Sequence, residues 1–188
     1  MRLISTTPDR FWYRSTLGCP AELRPWLHDH GSLTQRIQQR CTTFAVQPLR
    51  SQLAHIAYDE AALLGIPPYQ HAYSREVFLY ADGQPVVFAH STVAAADLRG
   101  GWSAVSQLGN KPLGALLFSH PLIRRMPLHF KALHPHHPLY RRATARLIQP
   151  PPQLWARRSL FYLNRAPLLV TEVFLPAVLT LNFTQVQA

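Results

Sequence analysis

Glu172 and Arg75 are charged residues in stretches that otherwise read as apolar strands. Glu172 sits at the centre of PLLVTEVFLP (167–176), an apolar run preceded by Asn164-Arg165-Ala166 and closed by Pro176, which is the pattern of a fully buried strand. Arg75 opens REVFLYADGQPVVFAHS, where alternation puts Arg75, Val77 and Leu79 on one face and Glu76, Phe78 and Tyr80 on the other. Neither role asks for a charge. A buried charge persists only where it is paired, hydrogen-bonded or bound to something. If the two strands are close in one sheet, Arg75 and Glu172 have two uses. They form a buried salt bridge with each other, or they line one cavity for a small aromatic acid. In the second case the guanidinium grips a carboxylate with its fork and Glu172 accepts from a hydroxyl at the far end.

Other clusters carry less chemistry. His134, His136 and His137, with His129 and His120 nearby, invite a metal, but prolines hold the tract extended and no cysteine or carboxylate within it completes a ligand set. An exposed loop is the expected reading, with no metal. In WARR (155–158) the two arginines of a strand face opposite sides, one inward and one to solvent. Cys19 and Cys41 make neither a metal spacing nor a disulfide framework and fit a reducing cytoplasm. There is no glycine-rich phosphate loop and no Ser-His-Asp signature.

Several elements are available to position these residues. Residues 20–29 read as a helix with a proline in its first turn, and Ser32-Leu33-Thr34-Gln35 has the spacing of a capping box for a second helix running to about Gln39. Residues 42–57 favour strand, with Pro48 marking an edge or a bulge. A short helix over 60–64 precedes Pro67-Pro68. Two β-rich runs flank Asp82-Gly83 as a hairpin does. Short helices are expected over 102–108 and 112–118, strands over 122–133 and 140–148, and a last hairpin from 154–163 and 168–175. This order predicts an α+β fold: a single domain over 1–188 with a mainly antiparallel sheet and helices packed on it.

The chain has 188 residues, 47% of them hydrophobic and 15% charged, enough for a real core and too apolar for disorder. The N-terminus lacks the apolar core of a signal peptide, and the most membrane-like stretch, 161–183, is interrupted by Arg165, Pro167, Glu172 and Pro176. A soluble, cytoplasmic protein is expected. The net charge of +10 is uneven, because no acidic residue lies between Asp97 and Glu172 while eleven basic ones do, Arg124, Arg125, Arg157 and Arg158 among them. Such a field draws anions: nucleic acid, anionic lipid or a small polyanion.

Five blocks in order, WLHDHGSLTQRI, REVFLYADGQPVVFAHS, LGNKPLGALLF, WARRSLF and PLLVTEVFLPA, resemble chorismate pyruvate-lyase, the enzyme family that makes 4-hydroxybenzoate and pyruvate from chorismate for ubiquinone biosynthesis. The resemblance covers roughly 150 residues. It implies a buried ligand pocket closed by flaps and no metal or organic cofactor. By motif position it makes Arg75 the carboxylate-binding arginine and Glu172 the acid at the ring hydroxyl, and it puts Leu33 and Leu113 where the ligand is contacted in part through backbone groups. His90, in VFAHS, stands where the family often has a second arginine, so it is expected to meet the enolpyruvyl carboxylate, with Arg157 or Arg158 as substitutes. Residues 1–18 and 178–188 are peripheral to the resemblance, and 119–152 is divergent or inserted. A monomer is expected.

Two other readings follow from the same residues. A non-catalytic module binding small aromatic acids would use the same scaffold, since the fold resembles the ligand-sensing domain of some bacterial transcription regulators; the helix-turn-helix those carry has no room before Trp26. A nucleic-acid-binding protein would use the charge, but no compact basic motif with interleaved aromatics is present, so no specific nucleic acid is expected.

Overall fold

In the computed structural model, which describes residues 11–181, Asp82 and Gly83 both have positive φ (47° and 75°), the geometry of a two-residue hairpin turn. They join β2 (Ala72–Ala81) to β3 (Gln84–Ala94), both buried almost end to end. The second hairpin, β6 (Leu154–Leu163) and β7 (Ala166–Phe174), turns at Asn164, also at positive φ. The two hairpins lie side by side, β3 against β7, and this long-range pairing puts the Arg75 and Glu172 strands one strand apart.

β1 (Phe44–Ala54) completes one edge beside β2, with the register shift at Pro48/Arg50 that its proline predicts. β4 (Ile123–Arg125) and β5 (His129–Leu133) both pair with β6 and form the other edge. Every pairing of this seven-stranded sheet is antiparallel.

The helices are short. A 3-10 turn (Ala21–Leu23) runs into α1 (Arg24–Leu27), and α2 (Leu33–Gln38) is capped by Ser32, whose hydroxyl accepts from the Gln35 N–H. α3 (Tyr58–Leu64) and α4 (Leu113–Ser119) follow, with a 3-10 segment (Ser103–Gln107) between them. Residues 140–148, read from the sequence as a strand, instead contribute to α5 (Pro138–Ala143). Pro138 fits the first turn, the His137 ring accepts from the Leu139 N–H, and Tyr140-Arg141-Arg142-Ala143 has no β-branched residue to resist a helix.

Each face of the sheet carries two apolar clusters separated by a polar band. On the Arg75 face, α1 and α2 cover Val77, Leu79, Val87 and Phe174, while α4 and the Ser103–Gln107 segment cover Tyr73, Val93, Phe161 and Leu168. On the other face, α5 packs with Phe78, Phe88 and Val173, and α3 with Ala72 and Leu169. Among the described residues no helix is long and apolar enough to cross a membrane. The first ten residues and 182–188, parts of the segments set apart above as peripheral, lie outside the described residues.

Candidate active site

The polar band on the Arg75 face is the floor of a cavity between the two helical clusters. Register brings its residues into rows: Arg75, Ser91 and Val170 in one, and Val77, Ala89, Glu172 and Arg157 in the next. The roof has two halves. Gly31, Leu33 and Thr34 come from the turn into α2, and Pro112, Leu113, Gly114, Leu117 and Phe118 from α4.

Local chemistry shapes each half. Asp29 accepts from the Gly31 N–H at 2.7 Å and pairs with Arg36 at 2.8 Å, fixing the turn before Ser32 caps α2. The halves meet at Gly114, where a Cβ would lie 2.9 Å from Thr34 Oγ1 and 3.2 Å from Ser32 Oγ. The enclosed space is small, about 50 Å³. Ligand sites are usually several hundred Å³, so a ring-sized ligand enters only when the roof lifts.

Arg75 is 3% exposed. It donates through Nη2 to the carbonyls of Gly109 (3.0 Å) and Lys111 (2.9 Å), holding the segment before α4 against the sheet. Its Nε is buried without a hydrogen-bond partner, and burial lowers its pKa. No ion pair among the described residues joins it to Glu172, so the two do not form the salt bridge that their sequence positions allowed. Glu172 pairs instead with Arg157, Nε to Oε2 at 2.5 Å. Arg157, almost wholly buried, donates through Nη1 to the carbonyls of Trp26, Leu27 and Asp29 (2.9, 3.3 and 2.7 Å) and so ties β6 to the roof turn.

A family model for chorismate lyase matches residues 9–186. The chain belongs to the chorismate lyase family. A protein of Nitrosomonas europaea named probable chorismate pyruvate-lyase is 48% identical over 175 residues, covering 93% of this chain and 98% of that protein. One of Aromatoleum aromaticum with the same name is 51% identical over 164 residues, 86% of this chain and 89% of its own. Among solved structures, PhnF from Mycobacterium smegmatis superposes with a TM-score of 0.59 at 16% identity, over 86% of this chain and 70% of that one. A GntR-family transcriptional regulator from Bacillus cereus gives 0.54 at 14%, over 77% and 99%. At such identities these two show the fold alone.

Of the residues that the likeness to chorismate lyases singled out, Arg75, Glu172, Leu33 and Leu113 line this one cavity. His90 does not, which corrects its expected place beside the substrate. A two-residue turn at Asp82-Gly83 without irregularity would put His90 opposite Arg75, on the cavity face. A register shift at Leu79/Tyr80, where β3 carries the extra residue Val86, pairs Arg75 with Ser91 and Glu76 with His90 and turns the imidazole to the other face. There its Nε2 lies 3.0 Å from Glu60 and its Nδ1 3.2 Å from Glu76. Neither contact is ideally aligned, but Glu60 acts on the imidazole by charge and by hydrogen bonding and Glu76 by hydrogen bonding. Burial alone would lower the His90 pKa, but Glu60 and then Glu76 outweigh it and push it up to about 9. Arg158 also faces away, paired with Asp59. Two cavity arginines were not singled out as first-choice site residues: Arg157, seen only as a substitute for His90, and Arg125, seen only as part of the basic interval. The alternation of β6 marks Arg157 as inward-facing, whereas three residues of β4 give no such period.

Proposed function

We propose that the protein is a chorismate pyruvate-lyase, converting chorismate to 4-hydroxybenzoate and pyruvate. The observation that carries this is Arg75, a buried guanidinium lining a small cavity with carbonyl partners and, among the described residues, no carboxylate partner. Leaving a cation in that state is costly unless an anion completes it. A ring carboxylate supplies the missing charge, and Glu172, at the other end of the floor, accepts from the ring hydroxyl.

In the reaction the ether bond between ring C3 and the enolpyruvyl oxygen breaks with its electron pair going to that oxygen. The hydrogen on C4 leaves as a proton, the ring becomes aromatic, and protonation of the enolpyruvate methylene gives pyruvate. Aromatisation supplies much of the driving force. The protein's part is to hold the reactive conformer, exclude water and offset charge. A Glu172 already fixed by Arg157 is suited to orienting the C4 hydroxyl. Leu33 and Leu113 close over the ring from the two halves of the roof. The same reading takes the protein as a cytoplasmic monomer that uses no cofactor and binds no specific nucleic acid.

The test is to incubate purified protein with chorismate, without added metal, and to follow pyruvate and 4-hydroxybenzoate together against the spontaneous background. Equal formation of both well above background is expected. A folded protein that binds 4-hydroxybenzoate but releases no pyruvate would be a binding module instead.

A further inference from the structure

Three guanidinium groups line the cavity, and their circumstances differ. Arg157 is engaged by Glu172 and three carbonyls. Arg75 is held by two carbonyls on the β2 side. Arg125 enters from β4, where its Cα pairs with that of Phe161. Its Nη1 donates to the His30 carbonyl at 3.0 Å, its Nε is buried without a hydrogen-bond partner, and its guanidinium carbon lies 5.3 Å from the Phe161 ring centre and 5.8 Å from that of Phe118. Among the described residues no carboxylate forms an ion pair with it. Burial, and then the charge of Arg157, lower its pKa to about 10, which leaves it a cation at neutral pH.

Among the described residues Glu172 is the one carboxylate that lines the cavity against three guanidinium groups, an excess of two cations, and chorismate is a dianion. The placement fits as well. β2 and β4 are separated by β3, β7 and β6, so at roughly 4.8 Å per strand the backbones of Arg75 and Arg125 stand about 19 Å apart. The two side chains thus approach the space above β3 and β7 from opposite sides. With the ring carboxylate on Arg75 and the C4 hydroxyl on Glu172, the enolpyruvyl group on the neighbouring C3 lies at the Glu172 end, which is the end nearer Arg125.

We infer that Arg125 binds the enolpyruvyl carboxylate of chorismate and thereby distinguishes substrate from product. The inference rests on the lyase reading above. 4-Hydroxybenzoate has lost that carboxylate, so Arg125 contributes to holding substrate and little to holding product. Because the same side chain tethers His30 in the roof turn, a role as a latch alone must be separated from a role in charge recognition.

The separation is made with two ligands. 4-Hydroxybenzoate has one carboxylate; 4-hydroxybenzene-1,3-dicarboxylate carries a second at the ring position next to the hydroxyl and cannot react. Arg125→Met is expected to lower kcat/KM for chorismate and affinity for the dicarboxylate roughly 10- to 100-fold, while affinity for 4-hydroxybenzoate changes less than about threefold. Arg125→Lys keeps the charge but loses the planar fork, so it recovers part of the dicarboxylate affinity, and it carries the test if the methionine variant does not fold. Equal loss for both ligands would make Arg125 a latch, and unchanged dicarboxylate affinity would remove it from recognition; either result overturns the inference. Absence of chorismate turnover by the unaltered protein would defeat the lyase reading separately, since dicarboxylate selectivity is read from binding alone.

Discussion

Replacing Arg157 strips Glu172 of its ion pair and leaves three roof-turn carbonyls without their donor. Arg157→Met is therefore expected to destabilise the protein by about 3–5 kcal/mol, the usual cost of breaking a buried pair from one side. Chemical denaturation measures it, and a loss under about 1 kcal/mol would contradict the assignment. Arg75 is the opposite case, because among the described residues no carboxylate is left behind when it goes. Arg75→Met should change stability by no more than about 1 kcal/mol in either direction, yet lower kcat/KM for chorismate at least about 100-fold. A variant that kept most of its turnover would take Arg75 out of the site. Both charges of the proposed pair were legible in the sequence because period-two alternation exposes a charge in an apolar strand. That Glu172 pairs with Arg157 was not, since cross-strand register between β6 and β7 is set by their turn and packing. His90 misled for the same reason: a single extra residue in β3 decides its face.

At the scale of elements, the roof depends on contact between α2 and α4 at a residue without a side chain. A Cβ at Gly114 would press on Thr34 Oγ1 and Ser32 Oγ, so Gly114→Ala should push the halves apart rather than disturb the sheet. The expected result is weaker 4-hydroxybenzoate binding, several-fold, through faster release in stopped-flow measurements, with stability lowered by no more than about 1 kcal/mol. Unchanged release would mean that the roof moves without parting there. The capping spacing of Ser32 and the proline-marked edge strand were legible because they act within a few residues. α5 was not, since its helix is short and rests on packing with Phe88 and Val173 from distant strands.

The two polar bands lie back to back across the same strands. Arg75, Glu172 and Arg157 form the cavity floor on one face, and Glu76, His90 and Arg158 align on the other. The second band joins elements from the whole chain: Glu60 of α3, Glu76 of β2, His90 of β3 and Arg142 of α5, with Arg50 of β1 acting on Glu76 through its charge. Order along the chain indicated an antiparallel sheet; it gave no sign that four charged residues so far apart would gather behind it. His90 has a folded pKa of about 9, above its ordinary 6.5, so its contribution is complete below pH 6.5 and is lost as pH rises towards 9. Glu60 and Glu76 are held below their ordinary 4.5, chiefly because His90 and Arg142 outweigh the opposing cost of burial, and their contribution is lost only in acid. The share of stability that this cluster supplies should therefore be greatest between about pH 5 and 6.5 and decline by about 3 kcal/mol by pH 9 to 10, at about 1.4 kcal/mol per pKa unit. It is read as the difference from a His90→Gln variant, because His137 and Lys131, whose pKa values burial lowers, gain stability as pH rises over the same range. His90→Gln lowers the maximum, because Glu60 and Glu76 lose the cation between them, and it flattens the alkaline decline. Thermal unfolding across pH 5–10 reads both effects. A parallel decline in the two proteins would mean that His90 is not the group whose deprotonation weakens the fold.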